Sequence, residues 1–204
     1  MKPWRIVAAL ILATVMVLMA LAGHEIRRGF SARAEPSRVE AFVAKTARKM
    51  AVPSNYRSLQ NPYGASSENI RAGMNHFADH CAICHGNDGS GDTPTGRGLY
   101  PKPPDMRTAE TQSKSDGELY YTIENGVRLS GMPAFGGEKA HGGDADSWKL
   151  VLFIRHLPNL TGSDIKEMEQ LNPKTEEERQ EEKEEQDFLR GGSSEVPASK
   201  SHHH

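Results

Sequence analysis

Two cysteines and one histidine stand in the order Cys81-Ala82-Ile83-Cys84-His85, and this pentapeptide constrains the chain more than any other feature. They are the only two cysteines among 204 residues. The Cys-x-x-Cys-His spacing lets two thiols bond the vinyl groups of a haem while the histidine ligates the iron. The motif therefore predicts one covalently attached haem c, with Cys81 and Cys84 as attachment points and His85 as an axial ligand.

Two other chemistries use paired cysteines, and both fit these surroundings less well. A structural zinc site needs four ligands, and the chain offers no further thiol or suitably spaced histidine pair to complete them. A dithiol redox pair normally opens a helix that follows a strand, and no strand pattern precedes Cys81. Zinc binding and dithiol chemistry remain the alternatives to haem attachment.

The second axial ligand is sought among the methionines and histidines. Met132 lies within the glycine-rich and proline-containing segment 130–136, which predicts an irregular loop that can project a side chain inward. We expect Met132 to ligate the iron, although filling a core is the commoner role of methionine. Met106 is the next candidate, and bis-histidine ligation would draw on the histidines at His76, His80, His141 and His156. His76 and His80 are poorly suited, because we expect them to share the helix that precedes the motif.

Three helices are predicted around the motif. The first is capped by Ser66 or Ser67, and its apolar face carries Ile70, Gly73, Phe77 and Cys81 at intervals of three and four residues. Gly73 predicts a close approach by another backbone, since a glycine inside a helix costs about 1 kcal/mol relative to alanine.

The other two helices follow the motif. One begins with the capping box Ser115-x-x-Glu118 and ends at Asn125-Gly126. The last is capped by Asp146 or Ser147 and ends before Pro158. Its apolar side chains are Trp148, Val151, Leu152 and Ile154.

In this order, the features resemble those of the small mono-haem cytochromes c, and the resemblance covers residues 66–160. The segment Gly98–Met106 is similar to the proline loop of bacterial cytochrome c domains that serve respiratory complexes, and Gly131–Phe135 is similar to their methionine loop. The resemblance implies an all-α, small cytochrome c fold, with three or more helices wrapped around one covalent haem. It also implies that the first and last helices cross at a glycine and aromatic pair.

The resemblance further implies a hydrogen bond from the His85 ring N–H to a carbonyl of the proline loop, with Pro103 or Pro104 as acceptor. Arg97 and Tyr100 are candidates for contacts with the haem propionates, and solvated loop positions are the alternative for both.

Three segments flank this domain. Residues 1–22 contain an unbroken apolar run of 17 residues, Ile6 to Ala22, which predicts a retained membrane anchor or a cleaved signal peptide. Residues 23–65 form a basic amphipathic stretch followed by a linker, for which a membrane surface, the haem domain and a partner subunit are possible neighbours. Residues 161–204 carry 12 carboxylates against six Lys and Arg, which indicates a tail that is disordered or a solvated helix.

These features predict an electron carrier and not an enzyme, because a thioether at the sixth position leaves no open iron site. We expect single-electron transfer between Fe(III) and Fe(II), with a redox donor and acceptor as partners and no nucleic acid. The resemblance implies that haem c is attached outside the bacterial cytoplasmic membrane, so we expect the domain to face the periplasm or the exterior, either anchored to the cytoplasmic membrane or soluble after signal cleavage. The charge flanking the apolar run, Lys2 and Arg5 against Arg27, Arg28 and Arg33, favours the opposite orientation. A haem-based sensor of NO, CO or O2 and a fixed subunit of a larger oxidase or dehydrogenase are the alternative functions.

Overall fold

The computed structural model describes residues 3–29, 31–137 and 143–190, and this part of the chain consists of helices joined by turns and loops, without strands. It contains eleven α-helices and one 3-10 turn at Leu157–Asn159. The helices are α1 (Pro3–Arg28), α2 (Arg38–Ala51), α3 (Ser54–Arg57), α4 (Ser67–His80), α5 (Ala82–His85), α6 (Pro94–Arg97), α7 (Ala109–Gln112), α8 (Asp116–Asn125), α9 (Ala145–His156), α10 (Gly162–Leu171) and α11 (Glu176–Leu189). The predicted all-α fold is confirmed.

Helices α4 and α9 form the centre of the fold and cross at Gly73. A Cβ atom on Gly73 would lie 2.2 Å from the carbonyl oxygen of Lys149, so only glycine allows this approach. One turn along, the rings of Phe77 and Phe153 pack with their centroids 5.0 Å apart. The predicted glycine and aromatic crossing is therefore confirmed, with Phe153 as the aromatic partner on α9.

The predicted caps agree with the structure at two of three positions. The Ser66 side chain accepts a hydrogen bond from the Asn69 N–H, and Ser115 with Glu118 forms the capping box of α8. On α9 the cap is Asp144, whose carboxylate accepts from the N–H groups of Asp146 and Ser147. The expected cap at Asp146 or Ser147 was wrong by two or three residues, because the acidic side chain acts from the position before the helix.

Residues before position 66 also pack against the core. A Cβ on Gly117 of α8 would lie 1.8 Å from the carbonyl oxygen of Tyr56, which shows how closely α3 approaches α8. The ring of Tyr56 contacts Tyr121 edge to face at 4.9 Å, while Tyr120 stacks on Trp148 at 4.1 Å. The segment expected to act as a linker thus contributes apolar surface at its end.

The acidic C-terminal part differs from the expectation over its first ten residues. A capping box of Thr161 and Asp164 opens α10, Met168 is fully buried in the core, and Arg71 of α4 pairs with Glu167 at 2.5 Å. The buried Met168 gives this segment an apolar contact with the core, which its acidic composition does not indicate. In contrast, α11 has no buried residue, which agrees with the solvated helix considered for that stretch.

The N-terminal helix α1 is long and apolar enough to cross a membrane. Within the candidate span Pro3–Arg27, the most apolar stretch of 18 residues has a mean hydropathy of 2.7, and none of that stretch is buried against the rest of the described chain. Length and composition alone are compatible with a membrane anchor and equally with a signal sequence.

Candidate haem-attachment site

The motif directly continues α4 at the end of its buried face. The Cys81 N–H donates to the carbonyl of Phe77 at 2.8 Å, and the His85 N–H donates to the carbonyl of Cys81 at 2.9 Å. The chain therefore stays helical through the motif. Because Cys81 and Cys84 are three residues apart on one turn, their thiols share a side of this helix.

The two motif cysteines are not joined by a disulfide bond, and both thiols have a raised pKa. Burial and, secondarily, the neighbouring Cys84 raise the pKa of Cys81 to about 12, and burial also raises the pKa of Cys84. A dithiol redox pair needs the opposite, a lowered thiol pKa. Within residues 3–29, 31–137 and 143–190, no three His, Cys, Asp or Glu side chains are grouped to hold a metal. The raised pKa of the thiols disfavours the dithiol alternative.

The side chain of His85 is held as a neutral imidazole. Burial lowers the pKa of His85 to about 4, so at pH 7 the ring is in the form that ligates metals. Its Nδ1 atom is buried and has no hydrogen-bond partner in the described part of the chain. The hydrogen bond expected to Pro103 or Pro104 is therefore not formed here. An unpaired buried nitrogen costs about 1–3 kcal/mol, so Nδ1 keeps the capacity for the hydrogen bond that the family resemblance implies.

The loop after the motif folds back over its carbonyl groups. The Gly91 N–H donates to the carbonyl of His85 at 2.7 Å, and the Thr93 hydroxyl donates to the carbonyl of Ile83 at 2.8 Å. The same Thr93 oxygen accepts from the Gly96 N–H at 2.8 Å and so caps α6. These bonds satisfy the end of the motif helix and fix its direction. Sequence reasoning missed Thr93, although a threonine followed by proline is a recognisable helix start.

Two glycines permit this close packing. A Cβ on Gly96 would lie 2.5 Å from the carbonyl oxygen of Cys84, and a Cβ on Gly91 would lie 2.6 Å from the carbonyl oxygen of Pro103. The proline loop is thereby brought against the motif, as a chain that encloses a flat cofactor requires. The free paired thiols, the neutral histidine and this enclosing loop all fit a covalently bound haem.

The two methionine candidates occupy different environments. Met132 is half-buried and lies outside the core cluster, in a loop whose Phe135 and Gly136 N–H groups donate to the carbonyls of Ile123 and Glu124. Met106 is only 7% exposed and belongs to the core cluster. The packing therefore uses Met106 as a core residue, whereas Met132 is not part of the core.

Two of the histidine alternatives, His76 and His80, lie side by side on α4. The rings of His76 and His80 stack on each other at 4.5 Å, and His80 Nδ1 lies 3.1 Å from an Asp79 oxygen. His156 is in the last turn of α9, and His141 lies outside the described residues.

Both propionate candidates already contact carboxylates of the chain. Arg97 pairs with Asp92 at 2.6 Å. The Tyr100 hydroxyl donates to Glu40.

Comparison with known families identifies the helical core. Residues 68–154 match the family model described as cytochrome c oxidase, cbb3-type, subunit III. No curated protein matches the chain. The matched segment contains the Cys-x-x-Cys-His motif, the α4 and α9 crossing and the methionine loop. Residues 68–154 are accordingly a c-type cytochrome domain, which we call the cytochrome domain.

Proposed function

We propose that this chain is a membrane-anchored mono-haem cytochrome c that carries single electrons outside the cytoplasm. A domain of the matched family supports haem-based electron transfer. The observation that carries the proposal is the motif itself, in which two protonated thiols and a neutral histidine share one capped turn of helix. When bound, haem c supplies a reversible one-electron couple between Fe(III) and Fe(II).

Each residue of the site has a separate task in this proposal. Cys81 and Cys84 would hold the haem as thioethers, and His85 and Met132 would be the ligands of its iron. A thioether ligand would exclude small molecules from the iron and raise the reduction potential. The bonds from Gly91 and Thr93 keep the motif helix oriented while the redox state changes.

Helix α1 places the domain at a membrane in this proposal. Its candidate span of 25 residues is about 37 Å long at 1.5 Å per residue, and the apolar run within it, residues 6–22, is about 26 Å long, close to the hydrocarbon thickness of about 30 Å. We infer that α1 is retained as an anchor in the bacterial cytoplasmic membrane, with the cytochrome domain on the periplasmic or exterior side. Cytochrome c domains are typically extracytoplasmic.

A fixed place in an oxidase complex is the second candidate function. It is favoured by the description of the matched family, whose model is named for a subunit of an oxidase. Both functions use the same electron-transfer chemistry. Purification from native membranes in mild detergent separates them, because a fixed subunit co-purifies in constant ratio with the oxidase, whereas a mobile carrier is recovered alone.

Ligation by Met132 is tested by comparing Met132→Ala with Met106→Ala in the full-length haem-loaded protein. We expect Met132→Ala to lose the sulfur-to-iron charge-transfer band, to bind CO in the ferrous state and to lower the reduction potential. Met106→Ala should keep the charge-transfer band, the resistance to CO and the reduction potential of the wild type. It should lose only stability, by about 2–5 kcal/mol as for other buried methionines.

Two outcomes contradict this ligand set. If wild-type ferrous protein binds CO readily, its sixth position is open and the gas-sensor alternative gains support. If Met106→Ala loses the charge-transfer band while Met132→Ala keeps it, the ligand is Met106.

A further inference from the structure

Helix α2 has two unlike faces, and the apolar one points away from the cytochrome domain. Val39, Phe42, Val43 and Met50 fall on one side of the helix at intervals of three, four and seven residues, and they are 58–76% exposed. Ala41 and Ala44, on the opposite side, are half-buried. Isolated exposed apolar side chains are ordinary, but four large ones on one helical face indicate a partner.

Polar contacts hold the other face of α2 and the segment before it against the cytochrome domain. Lys45 pairs with Glu110 at 2.9 Å, and Glu40 accepts a hydrogen bond from the Tyr100 hydroxyl. Glu35 pairs with Lys102. The domain thus already occupies the polar side of α2, which leaves the apolar side available to a different partner.

The position of α2 in the chain favours lipid as that partner. Helix α1 ends at Arg28 and the cap of α2 is Ser37, so the connection spans at most about 30 Å when fully extended. A membrane that contains α1 is therefore within reach of α2.

The charge of α2 also suits a lipid surface. Between residues 38 and 51 there are four basic residues and one acidic residue, a balance of +3. An apolar face flanked by Lys and Arg is the pattern of helices that lie in the headgroup region of anionic bilayers.

We propose that α2 lies in the membrane interface, with Val39, Phe42, Val43 and Met50 in the lipid and its polar side carrying the cytochrome domain. This inference rests on the proposed anchoring by α1. Because α2 contacts residues 100–110, it fixes which side of the domain faces the bilayer and which sides remain open to redox partners.

The test uses the full-length haem-loaded protein in bilayers that contain anionic lipid. A nitroxide is attached at Phe42→Cys and, separately, at Met50→Cys. The motif cysteines do not interfere, because both are bonded to haem in the loaded protein. The matched control is Gln180→Cys on α11, an exposed position on a helix without buried residues. Relaxation of each nitroxide by oxygen, which enters lipid, is compared with relaxation by a water-soluble nickel chelate.

We expect relaxation by oxygen to exceed relaxation by the nickel chelate several-fold at positions 42 and 50. At position 180 we expect relaxation by the nickel chelate to be the larger. Nickel accessibility at position 42 equal to that at position 180 would place this face in water and overturn the inference. Spin–spin broadening at position 42 that disappears on dilution with unlabelled protein would also overturn it, by showing a second copy on the same face.

Failure of this inference is distinct from failure of the anchor. Protein that an alkaline wash releases from the membrane lacks the anchor. Protein that resists the wash but shows position 42 in water keeps the anchor and loses only the interfacial placement of α2.

Discussion

Two amphipathic helices, α10 and α2, contact the cytochrome domain, and only α10 buries an apolar side chain. Helix α10 inserts Met168 fully into the core, whereas α2 exposes Phe42 at 70% and Met50 at 76%. The surface that each helix meets explains the difference, because α10 meets the apolar core beside α4, whereas α2 meets the polar groups of Tyr100 and Glu110. An amphipathic pattern therefore predicts that a face will be covered, but the neighbouring surface decides what covers it.

The largest expected effect on the free energy of unfolding is at Met168, the buried side chain of α10. Met168→Ala should lower the free energy of unfolding of the loaded protein by about 2–5 kcal/mol, because it removes a fully buried side chain. Phe42→Ala, measured in detergent, should change it by about 0.5 kcal/mol or less. Denaturant titration followed by circular dichroism measures both.

A nearby control separates burial from helix position. Leu171 lies at the end of α10 and is 37% exposed, so Leu171→Ala should cost clearly less than Met168→Ala. Equal losses for Met168→Ala and Phe42→Ala would show that the two helices do not differ in packing.

A second variant tests the crossing against which α10 packs. Gly73→Ala should destabilise the protein by about 1–3 kcal/mol, because the new methyl group meets the Lys149 carbonyl and forces α4 and α9 apart. The helix preference of alanine, about 1 kcal/mol, acts in the opposite direction. Gly64→Ala is the matched control, since a Cβ there has nothing within 4 Å. A Gly73→Ala protein as stable as wild type would contradict the observed crossing.

The smallest expected effect concerns the polar attachment of α2. The hydrogen bond from Lys45 lowers the pKa of Glu110 below its ordinary value of 4.5. A lowered carboxyl pKa means that the pair stabilises the folded state above pH 4.5 and that this contribution is lost as pH falls through the folded pKa. Because both side chains are about half-exposed, the pair is worth only about 0–1 kcal/mol and weakens with salt.

Hydrogen exchange measures this effect helix by helix. At pH 7, Glu110→Gln should accelerate amide exchange in α2 and leave α10 unchanged, since Met168 holds α10. Lowering the pH through the folded pKa of Glu110 should also reduce the protection of the α2 amides, measured against their intrinsic exchange rates at that pH. It also weakens the cap of α10, because hydrogen bonds from Thr161 lower the pKa of Asp164. If Glu110→Gln accelerated amide exchange more in α10 than in α2, relative to the wild type, the assignment of this ion pair to the attachment of α2 would be contradicted.

The sequence allowed accurate prediction where the signal is local. The Ser66 cap, the Ser115 and Glu118 capping box and the Gly73 crossing are each encoded within a few residues, and the structure contains all three. The Cys-x-x-Cys-His spacing led to the cytochrome domain in the same way, because its chemistry requires adjacent residues.

Features that depend on distant partners were not predictable. The burial of Met168 depends on α4, nearly a hundred residues earlier, and the close approach of Tyr56 depends on Gly117. The role of Thr93 requires knowing that its loop returns over the motif. The Nδ1 atom of His85 lacks the partner that family resemblance implied, which no local pattern indicates.

Covalent haem attachment at Cys81 and Cys84 is tested most directly by the intact mass of the protein purified from a host that matures c-type cytochromes. We predict a mass increase of one haem that survives acid and organic extraction, and its complete loss in the Cys81→Ala, Cys84→Ala double variant. A wild-type protein of unmodified mass, colourless and normally folded, would contradict the account.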